Sequence, residues 1–379
     1  LELTFLPFPD GNGSRKIQAG NKAYFLRQVS GKMRIIVSDG TSEGTQVVYQ
    51  YDDEYFEFEE FTFYRGPGDG ELYISDGWTL VRSNGTAEGT VEVSPDLSYF
   101  FHFVVIGDKS YFHNQSGGSG SPSLLWETDG TIEGTTQIFE FPEGGRIYEM
   151  QKTPSGAVIR FQKDGGGVDL WKTDGTTSGT QKIETPTAPP GNEYLSPLKG
   201  DPRFGWTFTR YADSEAESVW YTDGTDEGTY KVLDHSSLSP GEQFTEFTFA
   251  RSTDGGRQLF AVENSQDHWQ IFGYTPEADT LVRLMQTYSK LDEGDLLILG
   301  EQFFIKARKT SGATQDTLWT TDLTQQGTQV AGTFDSFDFG SYSHSSDLCF
   351  FSVQYNQSSE SERELWVSDG TSQGTNHIK

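Results

Sequence analysis

The sequence predicts an all-β protein: an eight-bladed β-propeller with four antiparallel strands in each blade. Three observations lead to this prediction. A turn of the form TDGT-x-x-GT recurs along the chain, and each copy separates a short aromatic segment from a short β-branched one. No window of the sequence shows the apolar period of a helix. Repetition at a fixed spacing is typical of repeat architectures, and it takes precedence over any local motif.

Seven copies of the turn keep the same internal spacing. Their first Asp or Asn stands at Asp39, Asn84, Asp129, Asp174, Asp223, Asp322 and Asp369. Successive copies are 45 to 49 residues apart, except for one interval of 99 residues that follows Asp223. Because that interval has room for two repeats, we expect a degenerate eighth copy near Pro276, where residues 276–279 replace the turn. A seven-bladed propeller is the alternative.

Each repeat supplies four candidate strands. An aromatic run such as residues 22–26 precedes an LW-x-TD segment such as residues 125–129, and a β-branched segment such as residues 46–48 follows the turn. A further candidate strand precedes the aromatic run, for example residues 244–249 or 295–299. Short alternating segments bounded by Gly, Asn, Asp and Ser are typical of strands. Four of them in each repeat match the size of a propeller blade.

The residue types of the turn suit a tight hairpin. Two glycines in each copy, such as Gly40 and Gly44, are expected where the backbone needs a positive φ. The Asp or Asn oxygen accepts a backbone N–H two residues further on, and the Thr hydroxyls do the same more weakly. Leu323 replaces the first glycine in one copy, so we expect that turn to differ slightly. The motif is the same in unit after unit, which favours a structural role over a functional one.

A large ring at one fixed place in each blade is expected to fill the space between facing sheets. Most repeats have a tryptophan three residues before the Asp, and the degenerate repeat has one close to that place. These residues are Trp126, Trp171, Trp220, Trp269, Trp319 and Trp366. The first two repeats have Ile36 and Val81 instead, so their contacts should be smaller.

Residues 364–375, ELWVSDGTSQGT, carry a resemblance to a known family. They resemble the ELW-x-SDGT-x-x-GT repeat of large, mostly uncharacterised bacterial surface and secreted proteins, and the likeness extends over essentially the whole chain. The turn also resembles the Asp box of sialidase-type propellers, a structural element between the same two strands. The resemblance implies a propeller built for the cell exterior, with no single activity attached.

Composition limits the partners and the location. The net charge is −28, with 56 acidic and 28 basic residues, and this field repels nucleic acids and anionic membranes. No run of 18 apolar residues is present, so we expect no membrane insertion. Continuous repetition predicts one propeller domain over residues 1–379. The chain begins at Leu1 without a signal-peptide pattern, so we expect a mature or excised segment.

The sequence predicts no catalytic or metal centre. The six histidines lack zinc-binding spacing, and the single cysteine, Cys349, is expected to be buried and inert. Residues 10–13 resemble the start of a calcium loop, but its twelfth position is Asn21, where a Glu is needed. We therefore expect no cofactor, with a weakly bound calcium ion as the alternative. The acidic run at residues 52–60 is expected to be a charged strand edge, with a site for a cation or a basic partner as the alternative.

The N-terminus resembles a strand that lies elsewhere in the repeat. Residues 3–11 are similar to residues 136–144, the outgoing strand of the third repeat. The hypothesis is that residues 3–8 join the last blade and fasten the ring.

The expected function is a non-enzymatic extracellular or cell-surface binding or scaffold module. It would recognise a protein or glycan through rim loops, because loops on a rigid scaffold are where recognition usually occurs. Residues 115–123, 212–217 and 356–363 are the candidate loops, since they differ in length while the turns do not.

Two alternatives remain open. One is a carbohydrate-active hydrolase or lyase with acidic residues at the central channel. The other is an accessory subunit of a larger envelope assembly. Converging carboxylates and arginines would favour the enzyme. The sequence does not show convergence, because its candidate arginines are spread over several repeats: Arg160, Arg203, Arg210, Arg251 and Arg283.

Overall fold

The structure is a computed structural model in which two compact units are distinguished, Leu1–Ile183 and Glu184–Lys379. It describes residues 16–51, 61–93, 97, 100–114, 121–141, 145–163, 166–184, 194–212, 215–234, 238, 244–251, 256–264, 268–289, 291, 293–339, 348–354 and 363–378. Among these residues, no helix is long and apolar enough to cross a membrane.

The first unit contains four antiparallel sheets, and in each the strands lie in chain order. The first sheet is β1 (Lys16–Ala19), β2 (Lys22–Val29), β3 (Lys32–Ser38) and β4 (Gln46–Gln50). The second is β5 (Thr62–Arg65), β6 (Leu72–Ser75), β7 (Leu80–Ser83) and β8 (Thr90–Glu92). The third is β9 (Phe100–Ile106), β10 (Lys109–Asn114), β11 (Leu124–Thr128) and β12 (Thr136–Glu140). The fourth is β13 (Arg146–Thr153), β14 (Gly156–Gln162), β15 (Val168–Thr173) and β16 (Gln181–Lys182).

The second unit also contains four antiparallel sheets. The fifth sheet is β17 (Tyr194–Leu195), β18 (Lys199–Asp201), β19 (Gly205–Ala212), β20 (Glu215–Thr222) and β21 (Thr229–Asp234), with β17 and β18 both paired to β19. The sixth is β22 (Phe244–Arg251), β23 (Gln258–Asn264), β24 (Trp269–Thr275) and β25 (Thr280–Thr287). The seventh is β26 (Leu296–Leu299), β27 (Gln302–Ala307), β28 (Asp316–Thr321) and β29 (Gln329–Phe334). The eighth is β30 (Ser336–Asp338), β31 (Cys349–Gln354), β32 (Arg363–Ser368) and β33 (Asn376–His377).

These sheets confirm the prediction of an all-β, eight-bladed β-propeller and decide against seven blades. The degenerate repeat forms the sixth sheet. Its β24–β25 connection is a single 3₁₀ turn, Pro276–Ala278, that ends at Asp279 with φ 44°. A second short 3₁₀ turn, Glu293–Asp295, precedes β26. That residues 1–379 form one domain stays a prediction.

The repeated turn is held by the same hydrogen bonds in each of its seven copies. In the fourth sheet, Asp174 Oδ1 accepts the backbone N–H of Thr176 at 2.9 Å and its hydroxyl at 2.7 Å. Gly179 N–H donates to Thr176 Oγ1 at 2.9 Å, and the hydroxyls of Thr173 and Thr180 bond to each other at 2.8 Å. The same acceptor bond to the backbone recurs at Asp39, Asn84, Asp129, Asp223, Asp322 and Asp369.

The two glycines of the turn have different reasons to be glycine. The first, such as Gly175, has a φ of 92°, which a side chain rarely adopts. The expectation of a positive φ at the second glycine is wrong. A Cβ at Gly179 would instead overlap with the carboxylate of Asp174, so this position is glycine because the Asp side chain occupies the space.

The expectation that Leu323 alters its turn is also wrong. Leu323 takes a φ of 65°, and Asp322 and Thr324 keep the bonds seen in the other copies. The Leu323 side chain is buried in an apolar cluster with Leu259 and Phe303. Since a branched residue is strained in the left-handed region, this burial offsets the cost of the backbone conformation.

The tryptophans pack between neighbouring sheets. Trp171 lies 5.1 Å from Phe141, which follows β12, and Trp366 lies 5.1 Å from Phe334 in β29, measured between ring centroids. Trp269 is fully buried but begins β24, so Phe272 takes the equivalent place in the sixth sheet. In five sheets the register between the last two strands shifts at the position of the packing side chain. These positions are Ile36, Trp126, Trp220, Phe272 and Trp319.

The turns also join neighbouring sheets within each unit. Lys22 Nζ in β2 donates to the carbonyl of Asn84 at 3.0 Å, and Thr177 Oγ1 donates to the carbonyl of Ile138 in β12 at 2.8 Å. In the second unit, Thr320 Oγ1 in β28 donates to the carbonyl of Gly370 at 2.7 Å. We call the end of a sheet that carries this turn, residues 38–45 in the first sheet, its turn end, and the other end its loop end.

Candidate functional site

A polar cluster lies where β9 of the third sheet contacts β13 of the fourth. We call it the histidine site, and its residues are Phe101, His102, His113, Tyr148, Glu149 and Arg160. The site is near the loop ends of both sheets, because β9 and β13 begin there and β10 and β14 end there.

A β-bulge positions His102. Tyr111 pairs with Val104 and His113 pairs with Phe101, so β9 has one extra residue between these two pairs. His102 has a φ of 53°, in the left-handed region that a histidine seldom occupies. Bulges and strained residues of this kind are common next to functional sites.

The two histidines stack on each other. Their ring centroids are 5.0 Å apart with the planes 10° from parallel, and their Nδ1 atoms are 3.3 Å apart. His113 is only 3% exposed. The pKa of His113 is lowered to about 3, mainly by burial and to a smaller extent by the adjacent His102. His113 is therefore neutral near neutral pH, and one Nδ1 of the pair donates to the other.

A buried ion pair lies beside the histidines. Arg160 Nε is 3.3 Å from Glu149 Oε2, with both side chains largely buried. Gln151 Nε2 donates to the other carboxylate oxygen of Glu149 at 2.8 Å, and the Arg160 guanidinium lies 5.1 Å from the centroid of the Tyr148 ring. A buried ion pair with this many partners holds its geometry firmly and compensates its own charge.

The ion pair acts electrostatically on His102. Burial is the main cause that lowers the pKa of His102, while Glu149 raises it and Arg160 lowers it. His102 is therefore a neutral proton acceptor near neutral pH that a carboxylate can stabilise when it becomes charged. A histidine in this state is suited to general acid–base catalysis.

Two exposed aromatic rings flank the polar groups. Phe101 is 42% exposed and lies 5.4 Å from the His113 ring, and Tyr148 is 38% exposed with the Arg160 guanidinium against its ring. Exposed rings next to fixed polar groups are the usual composition of a binding site for an organic ligand.

Sequence reasoning listed both histidines but did not bring them together. A signal was available in the β9–β10 hairpin, where Ile106 pairs with Lys109. Counting four residues away from the turn along each strand reaches His102 and His113, which would face each other without the bulge. The contact with Glu149 and Arg160 comes from another sheet and carries no local signal.

The candidate arginines do not share one partner. Arg160 pairs with Glu149, Arg203 with Asp201, and Arg283 Nη2 reaches Gln286 at 3.5 Å. Of the five candidate arginines, these three each have a partner of their own in the described part of the chain.

A second charged cluster lies in the second unit, near the loop ends of the seventh and eighth sheets. Lys306 Nζ is within 4 Å of carboxylate oxygens of Asp295, Asp316 and Asp338. Arg308 pairs with Asp316 and Arg363 with Asp338, so cations accompany the carboxylates. Asp338 is 57% exposed, as in an ordinary surface ion-pair network.

The remaining candidates have structural surroundings or lie outside the described residues. Cys349 is fully buried, and burial raises the pKa of its thiol to about 12. No group of three metal-ligating side chains occurs within the described part of the chain. The ring-closing segment 3–8, the calcium-like residues 10–13, the acidic run 52–60 and most of the three candidate loops lie outside the described residues.

No protein-family model matches the chain. No curated protein matches it either.

Several solved structures share the fold. Puromycin hydrolase is 12% identical, with a TM-score of 0.40, and the match covers 95% of this chain and 58% of that one. A post-proline cleaving enzyme from Rickettsia typhi is 12% identical, with a TM-score of 0.41 and coverage of 94% and 57%. An oligogalacturonate lyase in complex with manganese is 11% identical, with a TM-score of 0.36 and coverage of 95% and 87%. The chain thus spans a little over half the length of the first two.

These structures are of enzymes, and they contradict the expectation of a non-enzymatic binding or scaffold module, which is corrected here. Because their identities are 12% or less, the likeness concerns the fold and transfers no reaction or substrate to this chain.

Proposed function

We propose that this chain is a carbohydrate-active enzyme of the hydrolase or lyase class, with His102 as its proton-transfer group. The observation that carries the proposal is the strained, half-buried His102, stacked on a neutral histidine beside the buried pair Glu149 and Arg160. Strain and a displaced pKa together, next to exposed rings, are features of functional sites rather than of ordinary cores.

Each residue of the site has a part in proton transfer. His113 engages Nδ1 of His102, which leaves Nε2 of His102 as the nitrogen for proton exchange with a substrate. Glu149 stabilises the imidazolium that forms when His102 takes a proton, and Arg160 with Gln151 holds the Glu149 carboxylate in place. This division of roles is that of a general base with an orienting partner.

Carbohydrate is the proposed substrate class because of the two exposed rings. A pyranose has apolar C–H groups on its faces and hydroxyls at its edge. Phe101 and Tyr148 offer surfaces for the faces, while the polar groups next to each ring, His113 and Arg160, belong to the site that would meet the hydroxyls. We also propose that the protein acts at the cell exterior, a location supported by its resemblance to surface and secreted proteins. Membership in a larger assembly stays a prediction.

The test is a degradation assay with the purified chain on a panel of neutral and acidic polysaccharides. New reducing ends report cleavage by either reaction, and ultraviolet absorbance of an unsaturated product distinguishes a lyase from a hydrolase. We expect His102→Ala to lower the rate at least about 100-fold, the usual contribution of a general acid or base.

His377→Ala is the matched control, because His377 is a partly exposed histidine that pairs with Glu364 far from β9 in the sequence. It should keep the full rate. Absence of activity on every polysaccharide, or an unchanged rate in His102→Ala, would overturn the proposal.

A further inference from the structure

Exposed aromatic and exposed aliphatic side chains lie at opposite ends of the sheets in the first unit. Three aromatic residues in its described part are strongly exposed: Trp78 (61%), Phe101 (42%) and Tyr148 (38%). Each lies near the loop end of its own sheet: Trp78 in the β6–β7 connection, Phe101 and Tyr148 near the starts of β9 and β13. The exposed aliphatic residues Val47, Val91 and Ile132 all lie at turn ends. In the described part of the first unit, the strongly exposed aromatic rings therefore lie at loop ends and the exposed aliphatic side chains at turn ends.

The hairpin that carries Trp78 is rigid. Asp76 is buried, and its Oδ1 accepts the backbone N–H groups of Trp78 at 2.8 Å and Thr79 at 2.6 Å. Ser75 Oγ accepts the N–H of Gly77 at 3.0 Å. These bonds hold the backbone at Trp78, so no backbone entropy of this turn is lost when a ligand stacks on the exposed ring, which favours a role in binding.

The charges of the histidine site do not suit an anionic ligand. The one cation among its residues, Arg160, already pairs with the Glu149 carboxylate, and His113 is neutral. The chain as a whole has a net charge of −28. A polyuronate would meet this field without a free cation at the site to hold its carboxylates.

We infer that the substrate is a neutral polysaccharide whose sugar rings stack on Phe101 and Tyr148, with Trp78 as an additional stacking position on the same unit. This inference rests on the proposed function and narrows it. Elimination by a glycan lyase needs the acidic proton beside a uronate carboxyl group, which a neutral sugar lacks. The reaction is then hydrolysis.

Hydrolysis balances without any co-reactant other than water. The bond between the anomeric carbon and the glycosidic oxygen breaks, and the oxygen of water bonds to the anomeric carbon. His102 takes one proton from the attacking water and the leaving oxygen takes one proton from solvent water, while His102 releases its own proton to solvent, so protons balance and no group is oxidised or reduced. His102 returns to its neutral state when it passes the proton on.

The inference is tested by isothermal titration calorimetry on the whole chain, with neutral xylo-, manno- and gluco-oligosaccharides and an oligogalacturonate of equal length as probes. We expect a neutral oligosaccharide to bind with little dependence on salt, and the oligogalacturonate to bind at least tenfold more weakly. The double variant Phe101→Ala/Tyr148→Ala should raise the Kd for the neutral sugar at least tenfold, and Trp78→Ala should raise it by a smaller factor.

Val91→Ala is the matched control, since it truncates an exposed residue at a turn end and should leave the Kd unchanged. If the double Ala variant is misfolded by circular dichroism, Phe101→Leu/Tyr148→Leu keeps apolar bulk while removing the ring faces. Tighter, salt-sensitive binding of the oligogalacturonate, or an unchanged Kd in the ring variants, would overturn the inference.

The two proposals fail in different ways. Cleavage of a polyuronate that depends on His102 would leave the proposed function standing and refute the neutral substrate. Ring-dependent binding of a neutral sugar without any cleavage would refute the enzyme and leave only the binding site.

Discussion

The turn ends and the loop ends of the sheets differ in how far their residues and hydrogen bonds recur from sheet to sheet. At the turn end, seven sheets carry nearly the same eight residues and the same hydrogen bonds, from Asp39 to Asp369. At the loop end, the sheets differ from one another. The second has the Trp78 hairpin, the third has the His102 bulge, and the seventh has a lysine among three carboxylates.

This difference separates structure from function. The residues that recur in seven of the eight sheets have a function common to those sheets, which is to close a hairpin. Residues that occur once meet a demand found once, so the strained His102 and the exposed rings are the candidates for chemistry.

The largest effect is expected at the second glycine of a turn. In Gly228→Ala the new Cβ would overlap with the Asp223 carboxylate and expel it from the turn. We expect a loss of roughly 3 kcal/mol in the free energy of unfolding, in the range of overpacking with a lost network. Denaturant unfolding measures it. Gly294→Ala is the control, because a Cβ there meets no atom within 4 Å. Equal stability of the two variants would contradict this account of the turn.

The next effect concerns pH at the loop end. His113 has a folded pKa of about 3, below the ordinary value near 6.5, so the unfolded chain binds a proton first as the pH falls. Stability is full above pH 6.5 and decreases towards pH 3, by up to about 1.4 kcal/mol per pH unit for this group. The neutral variant His113→Gln should flatten the decrease between about pH 6.5 and 5. An identical pH profile in the variant would show that His113 is not buried as a neutral group.

A smaller effect is expected from the Asp of the turn. Asp174→Ala removes the acceptor for both donors of Thr176 and should cost about 1 kcal/mol, as expected for exposed local hydrogen bonds. Asp174→Asn should be close to neutral, because Asn84 makes the same bonds in the second sheet. Thermal unfolding of the two variants decides this, and a large loss in the Asn variant would mean that the charge matters.

The smallest effect is expected at Lys306. Its three carboxylate partners include the exposed Asp338, so Lys306→Met should change stability by less than about 1 kcal/mol. The difference from wild type should shrink further in high salt. If Lys306→Met lowers the free energy of unfolding equally in high salt, the Lys306 cluster is shielded from solvent. It would then be a second candidate functional region at a loop end.

A structural feature could be predicted from the sequence when the residues that determine it lie close together in the chain. The spacing of the turns led to the number of sheets and to the degenerate sixth one, because each turn is closed by residues within seven positions of one another, such as Thr173 and Thr180. Local reasoning failed for Gly179, whose constraint is a side-chain volume rather than a dihedral angle. It failed for Leu323 as well, because burial among residues of other strands offsets the strain.

The sequence by itself determined the repeat, the strands, the turn chemistry and the acidic character of this protein, since all of these follow from residues close together in the chain or from composition. Only the tertiary structure decided where chemistry can occur. The histidine pair and its bulge belong to the third sheet and the ion pair of Glu149 and Arg160 belongs to the fourth, and the two come together only where β9 packs against β13. Hydrophobic periodicity shows which face of a strand is packed, but it does not show which polar side chains of two neighbouring sheets will lie together.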